Sequence, residues 1–297
     1  MAAGNTVTDS LADSIPTMIA SARIVREFAG VMPNLVDRQR LDENTGTTWN
    51  EVSMSKLAAQ AVTENTELDN PQQMEDTLFS VTPTVIGVHT VITDRVALRI
   101  SANAYAQTGS LAQNAIERKK DEDGLTAIDG ATTQLGAAGN GLDSGEIAAA
   151  AYRITSNTTE PAPANAPINA VHHGFCLKDI DDELIAAGIA QTGGAPLTAG
   201  VAVEAYQNRY RGTIAGARLY EDGNLTIDSL DDVKGGVFSQ MALVLVEGRS
   251  PYVETKRMPE LGGGATALYH YDEYAYAERS SGNWLYEVIA DATAPTS

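Results

Sequence analysis

Few residues in this chain stand at a spacing that chemistry can use. His172 and His173 are the one adjacent histidine pair. Neighbouring residues on a strand point to opposite faces, so the two imidazoles cannot converge on one metal. The other histidines, His89 and His270, are remote in sequence. Asp222-Gly223-Asn224 opens like a calcium loop, but the required glycine and terminal glutamate are missing at their offsets. It reads as a turn. Cys176 is the only cysteine and lies in the apolar run Gly174-Phe175-Cys176-Leu177. No internal disulfide can form, and a buried, inert thiol is expected. Gly136-Ala137-Ala138-Gly139 and Gly262-Gly263-Gly264 lack the lysine and the strand–turn–helix setting of a phosphate loop. Both read as flexible linkers. With 39 acidic residues, two carboxylates at glycosidase spacing are expected by chance. No Gly-x-Ser-x-Gly elbow occurs. These residues predict no catalytic centre, no metal and no cofactor.

Composition narrows the function classes. The 39 acids face 20 bases, a formal charge of −19. Such a charge repels phosphate backbones and argues against sequence-specific nucleic-acid binding. Hydrophobic residues make up 43% of 297 residues, enough for a packed core in one large or two modest domains. Met1-Ala2-Ala3-Gly4-Asn5 is neither basic nor strongly apolar, so no secretory leader is expected. No apolar run reaches the roughly 18 residues of a membrane span.

Several elements must position whatever the chain does. Residues 1–46 read as an arm. Its apolar spacing from Ile15 to Val31 predicts a helix, and a polar run from Asp37 to Asn44 follows that is too polar for a core. Trp49 to Met54 alternates like a strand, and the acidic stretch Thr63 to Pro71 suggests the tip of a projecting hairpin. Residues 79–100 are rich in Val, Ile and Thr and predict β structure. Residues 101–129 predict a long helix with apolar ends. Its charged middle, Glu117 to Asp123, suggests a solvent-bridging role. Further expectations are a short helix over 146–154, a strand near Val171 and a helix over 177–187. A strand edge is expected at 206–211, with strands over 213–220, 241–246, 252–255 and 284–289.

In this order, the segments resemble the HK97-fold major capsid proteins of tailed phages. Trp49 to Glu75 looks like the family's extended loop, and Ala104 to Ile128 like its spine helix. Pro167 to Phe175 is similar to the core strand of the axial domain. Gly212 to Tyr220 and Gly235 to Leu243 are the most characteristic stretches. The resemblance implies an α+β fold with an N-terminal arm (1–46) and an extended β-hairpin loop (47–78). The peripheral domain is expected from 79–135 with 249–297, carrying a spine helix over about 104–129, and the axial domain from 136–248. It further implies a non-enzymatic subunit that forms hexamers and pentamers of an icosahedral shell around double-stranded DNA. The subunit would be made in a host bacterial cytoplasm and reside in the virion capsid, without contact to a membrane. Separate scaffolding, portal and decoration proteins are candidate partners. Some relatives begin with a long scaffolding segment, whereas here the arm begins close to residue 1. Some cross-link through a lysine, but Lys56 reads as an ordinary surface lysine. The alternative function is a secreted or cell-surface β-rich adhesin or surface-layer protein.

Charge then suggests a contact between copies. From Leu57 to Asp94 there is no Lys or Arg, while Glu64, Glu67 and Asp69 crowd the loop. Arg118, Lys119 and Lys120 form the densest basic cluster. The loop of one subunit is expected near that helix of the next. Local pairing of the cluster with Glu117, Glu122 and Asp123 is the competing expectation.

Overall fold

The computed structural model describes residues 5–6, 30–62, 64, 71–99, 104–157, 163–164, 167–191, 207–279 and 282–296. In chain order the elements are β1 (Asn5–Thr6), α1 (Met32–Leu35), β2 (Asp37–Arg40), β3 (Trp49–Met54), β4 (Asp76–Val81), β5 (Thr84–Thr93), α2 (Asp94–Arg99) and α3 (Ala104–Asp129). Then come β6 (Gln134–Gly136), α4 (Ser144–Ser156), β7 (Ile168–His172), α5 (Gly174–Gln191), β8 (Thr213–Ile214) and β9 (Ala217–Glu221). The remainder is β10 (Asp232–Ser239), β11 (Leu243–Glu247), β12 (Tyr252–Met258), β13 (Ala265–Glu278) and β14 (Leu285–Asp291). The fold is α+β.

The strands form two six-stranded sheets and a separate hairpin. The first sheet runs β1-β5-β13-β11-β2, with β12 also on β13. One long strand serves three partners. Residues Ala265 to Tyr274 of β13 pair with β5, Ala265 to Tyr271 also with β12, and Tyr274 to Glu278 with β11. The second sheet runs β6-β14-β10-β7-β9-β8. Its middle strands are apolar almost throughout: β7 is wholly buried, and β14 is buried from Leu285 to Ala290. That burial needs cover on both faces. Helix α4 covers one, where the Arg153 guanidinium sits 5.8 Å from the Tyr286 ring. Helix α4 starts at a capping box, with Asp143 accepting from the Gly145 amide and Glu146 returning to the cap.

Helix α3 covers the other face. Its 26 residues span about 39 Å at ~1.5 Å per residue. It packs on β5 and β13 of the first sheet and on β10 and β14 of the second, so one rod joins both. Contact with β10 is close because β10 carries Gly236, where an added Cβ would lie 2.3 Å from Ile128 Cγ2. The charged middle of α3 faces solvent only in part: Glu117, Arg118 and Lys119 are exposed, and the residues after them turn inward. Asp121 is fully buried and Lys120 is 9% exposed, because this stretch crosses the seam between the sheets.

Other expectations change too. The end of the arm is core: Met32, Leu35 and Val36 are buried, and Asn169 donates to the Leu35 carbonyl at 2.9 Å. Asp37 to Arg40 is an edge strand parallel to β11, its polar side chains held by partners such as Glu247, which accepts from Arg38 at 2.9 Å. The helix expected from Ile15 lies, up to residue 29, outside the described residues. Residues 209–211 form no strand, and 213–220 is a hairpin instead of one strand. Ala215 (φ 48°) and Gly216 (φ 89°) make the left-handed two-residue turn that tight hairpins favour. The two glycine stretches are fixed turns. The Gly139 amide donates to Asp232 at 2.6 Å, and Gly262, Gly263 and Gly264 all have positive φ between β12 and β13. The expected boundary at 248/249 also differs from the pairing. Strand β11 hydrogen-bonds into the first sheet, and β14 into the second.

Candidate functional site

Among the described residues, the hairpin of β3 and β4 is mostly exposed and forms a sheet of its own. Its base is anchored. Trp49 and Phe79 meet edge to face at 6.3 Å and pack with Val81, Val244 and Val246. Arg279 donates to Glu51 at 2.8 Å, pairs with Asp37 at 2.6 Å and lies 5.8 Å from the Trp49 ring. Beyond the base the strands stay in register, Val52 opposite Leu78 and Met54 opposite Asp76. The ladder extends to Ser55, whose amide donates to the Glu75 carbonyl at 2.9 Å, and to Gln72, which bonds the Ala58 backbone.

Alternation sorts this hairpin into two faces. Trp49, Glu51 and Ser53 share one, and Asn50, Val52 and Met54 the other, opposite Ser80, Leu78 and Asp76. The second face is an apolar stripe in water: Val52 is 52% exposed, Met54 67% and Leu78 63%. Leu57 and Met74 continue the exposed apolar surface towards the tip. A two-stranded ribbon with an unburied apolar face is marginal alone. Burying such side chains yields about 1.5–3 kcal/mol each, so the stripe is suited to a protein partner. Reading the loop by its charge missed this. The alternation Val52, Met54 and Leu78 was the signal that carried it.

The expected contact residues are scattered. Glu64 is exposed, while Glu67 and Asp69 lie outside the described residues. Arg118 pairs with Glu122 at 3.4 Å and Lys119 with Asp123 at 2.5 Å, each four residues along α3. Lys120 turns inward. Its ammonium meets Glu247 at 2.7 Å and Asp272 at 3.3 Å, and stands 4.9 Å from the centre of the Tyr274 ring. Tyr274 donates to Asp123 at 2.9 Å. Burial, aided by the hydrogen bond to Asp123, raises the pKa of that phenol. Glu247 is held below the usual carboxylate range because the Lys120 and Arg38 cations outweigh its burial. Lys120 is therefore not part of a surface patch. A cavity of about 640 Å³ runs beside this network, lined by Arg38, Lys120, Glu247 and Asp272, which pair with one another.

The residues that suggested chemistry fall into structural places. His172 ends β7 fully buried, with neither ring nitrogen bonded. Burial pushes its pKa down to about 4. His173 is half-buried outside the strand and stacks edge to face on Phe175 at 4.6 Å. His89 stacks on Tyr269 at 4.3 Å on the first sheet. Cys176 is buried and donates to the Asp291 carbonyl at 3.2 Å, with burial pushing the thiol up to about 12. Asp222 caps its turn, accepting from the Asn224 amide at 2.9 Å. Among the described residues, no group of three or more His, Cys, Asp or Glu is placed to hold a metal. No described helix is long and apolar enough to cross a membrane.

Comparison with known proteins places this architecture. No family model and no curated protein sequence matches the chain. Solved structures do. The capsid structure of cyanophage P-SCSP1u superposes with a TM-score of 0.71 over 98% of this chain and 96% of its own, at 11% identity. The cyanophage Pam1 capsid matches at 0.67 over 99% and 100%, with 13% identity. The capsid of Ralstonia phage GP4 matches at 0.68 over 93% and 95%, with 12% identity. Identity this low speaks to architecture, and nearly the whole of each chain takes part. The chain has the fold of phage capsid proteins, the HK97-type fold that the order of its segments resembles.

Proposed function

We propose that this chain is the major capsid protein of a tailed phage, a non-enzymatic subunit whose copies form hexamers and pentamers of an icosahedral shell around double-stranded DNA. One observation carries the reading: the fold match to capsid and phage-head structures runs along 92–99% of the chain in six structures, including the capsid of a gene transfer agent particle. The projecting β3–β4 hairpin supports it, because its apolar stripe has a use only against another molecule. In this reading the second sheet with α4 and α5 is the axial part. The first sheet with the hairpin is the peripheral part, and α3 is the spine between them. The hairpin lies on a neighbour, with Glu64, Glu67 and Asp69 near Arg118 and Lys119 of the next α3. Lys120 contributes from within its own subunit. The subunit is made in the host bacterial cytoplasm and works in the virion, with separate scaffolding, portal and decoration proteins as partners. None of the neighbours named favours the adhesin alternative. Electron microscopy of the expressed protein tests the proposal. Closed shells or tubes are expected, and a monomer that persists at high concentration would overturn it.

A further inference from the structure

The seam between the sheets buries two carboxyl groups against each other. Asp121 of α3 and Asp222, in the turn after β9, are 0% and 1% exposed. Their carboxyls meet around Asn224, which donates its side-chain amide to Asp121 and its main-chain amide to Asp222, and two carboxylates buried side by side repel unless one carries a proton. The remaining donors are neutral. Asp121 accepts from the Met32 amide at 2.9 Å and the Asn224 side-chain amide at 2.8 Å. Asp222 accepts from the Asn224 amide at 2.9 Å and the Val31 amide at 3.4 Å. Gly30 presses on the pair so closely that a Cβ there would lie 2.4 Å from the Asp121 side chain. The neighbouring charges are engaged elsewhere. On α3, Lys120 holds Glu247 and Asp272, and Asp123 holds Lys119 and Tyr274. Beside the turn, Glu221 holds Arg211, while Arg38 on β2 holds Glu247. Tyr276 of β13 offers a buried neutral hydroxyl with no partner, and His172 of β7 takes part through its carbonyl, which accepts from the Asp222 amide at 3.1 Å.

We infer that Asp222 carries a proton where it meets Asp121 and that the pair forms a proton-operated latch, which holds residues 30–32 against α3 while the proton is present and loosens them when it leaves. Burial, reinforced by the Asp121 charge, pushes Asp222 up to about 7, against the lowering by the Asn224 and Val31 amides. Loss of the proton leaves two negative charges around Asn224 in the core. Gly30 and Val31 are only half-buried, while the α3 and β9 sides are closed. Opening at residues 30–32 is therefore the shortest path for water to reach the charges. The folded pKa lies above the ordinary ~3.9 of an unfolded aspartate. Stability from this proton is full below that value and lost as pH rises to about 7.

The test is amide hydrogen exchange on the full chain at pH 5.5 and 8.5, corrected for base catalysis, in wild type and Asp222→Asn. Protection at Val31 and Met32 is expected to fall at least tenfold further than protection in β10 in wild type across neutral pH, and to stay level in the variant. The folded-to-unfolded ratio of wild type relative to the variant should fall by up to about tenfold per pH unit between pH 4 and 7 and then level off. Asp121→Asn removes the neighbouring charge but not the burial of Asp222, and should move the step to lower pH. A wild-type profile without a neutral-pH step at residues 30–32 overturns the latch, and this reading needs no variant to fold. A step that persists unchanged in Asp222→Asn overturns it equally.

Discussion

Lys120 is the residue whose role changes most between sequence and structure. In the run Arg118-Lys119-Lys120 it reads as one more surface base, yet it stands four residues from Ile116 and from Gly124, on the row of α3 that faces inward. That row was legible, since Ala112, Ile116, Gly124 and Ile128 mark it, but the charged run obscured it. Lys120→Ala leaves Asp272, 3% exposed at its side chain, without a counter-charge. We expect a loss of about 3–5 kcal/mol in denaturant unfolding, whereas Lys119→Ala should cost under about 1 kcal/mol because that pair is exposed. Equal costs would contradict the burial argument. His172 gives a second prediction. Its folded pKa of about 4 lies below the ordinary imidazole value, so its contribution is full above about pH 6.5 and lost as pH falls through 4. Stability of wild type relative to His172→Leu should drop by about 1.4 kcal/mol per pH unit in that window. A constant difference would rule it out. The alternation rule assumed that both histidines lie on one strand, whereas β7 ends at His172 and His173 lies beyond it. The lack of a hydrogen-bond partner for His172 was not legible, because it depends on the bare Gly235 of the neighbouring strand, where a Cβ would lie 2.4 Å from the ring.

Among the elements, α3, α4, β3, β7, β11 and β14 were readable because each carries its own period and stop. Strand β2 was not, because an edge strand is stabilised by main-chain pairing and ion pairs that only its neighbour β11 supplies. The hairpin was read by its acidic tip, while its exposed apolar face decides how it can bind. Changing Val52 and Leu78 together to Ser should abolish or greatly slow particle formation, scored by light scattering. The unfolding midpoint of the free subunit should hardly move, since both side chains are already in water. Assembly at wild-type rate would remove the stripe from the interface. The charge contact is tested separately by Arg118→Glu with Lys119→Glu, leaving Lys120 in place. Weaker assembly at low salt, recovering in high salt only as far as wild type itself changes, is expected if acids of a neighbouring loop face that helix. Unchanged low-salt assembly would leave only the i,i+4 pairs seen within the subunit.

At the scale of the molecule, the strands of the two sheets interleave along the chain, and that interleaving was not legible in the sequence. A strand such as Leu285 to Asp291 is mostly apolar, with Glu287 its one charge before the final Asp291, and such a strand suits the centre of either sheet. Only its register with β10, from Phe238↔Leu285 to Asp232↔Asp291, decides the matter. That one placement affects how the protein is made. Strand β14 lies between β6 and β10, yet it follows β12 and β13 in the chain. A ribosome therefore delivers the whole of the first sheet before the second can close. Until residue 291 has emerged, β10 lacks a partner along seven positions and the apolar interior of the second sheet stays open. Contacts this distant in sequence form slowly, and an exposed strand edge invites wrong pairing in the interval. Stalled nascent chains ending before residue 285 should be cut readily between β7 and β10, and chains extended past 291 by a linker long enough to clear the exit tunnel should resist. Early resistance would mean the sheet closes without β14. On this topology the competent subunit appears all at once and late, so a half-made chain has no finished second sheet to offer a growing particle.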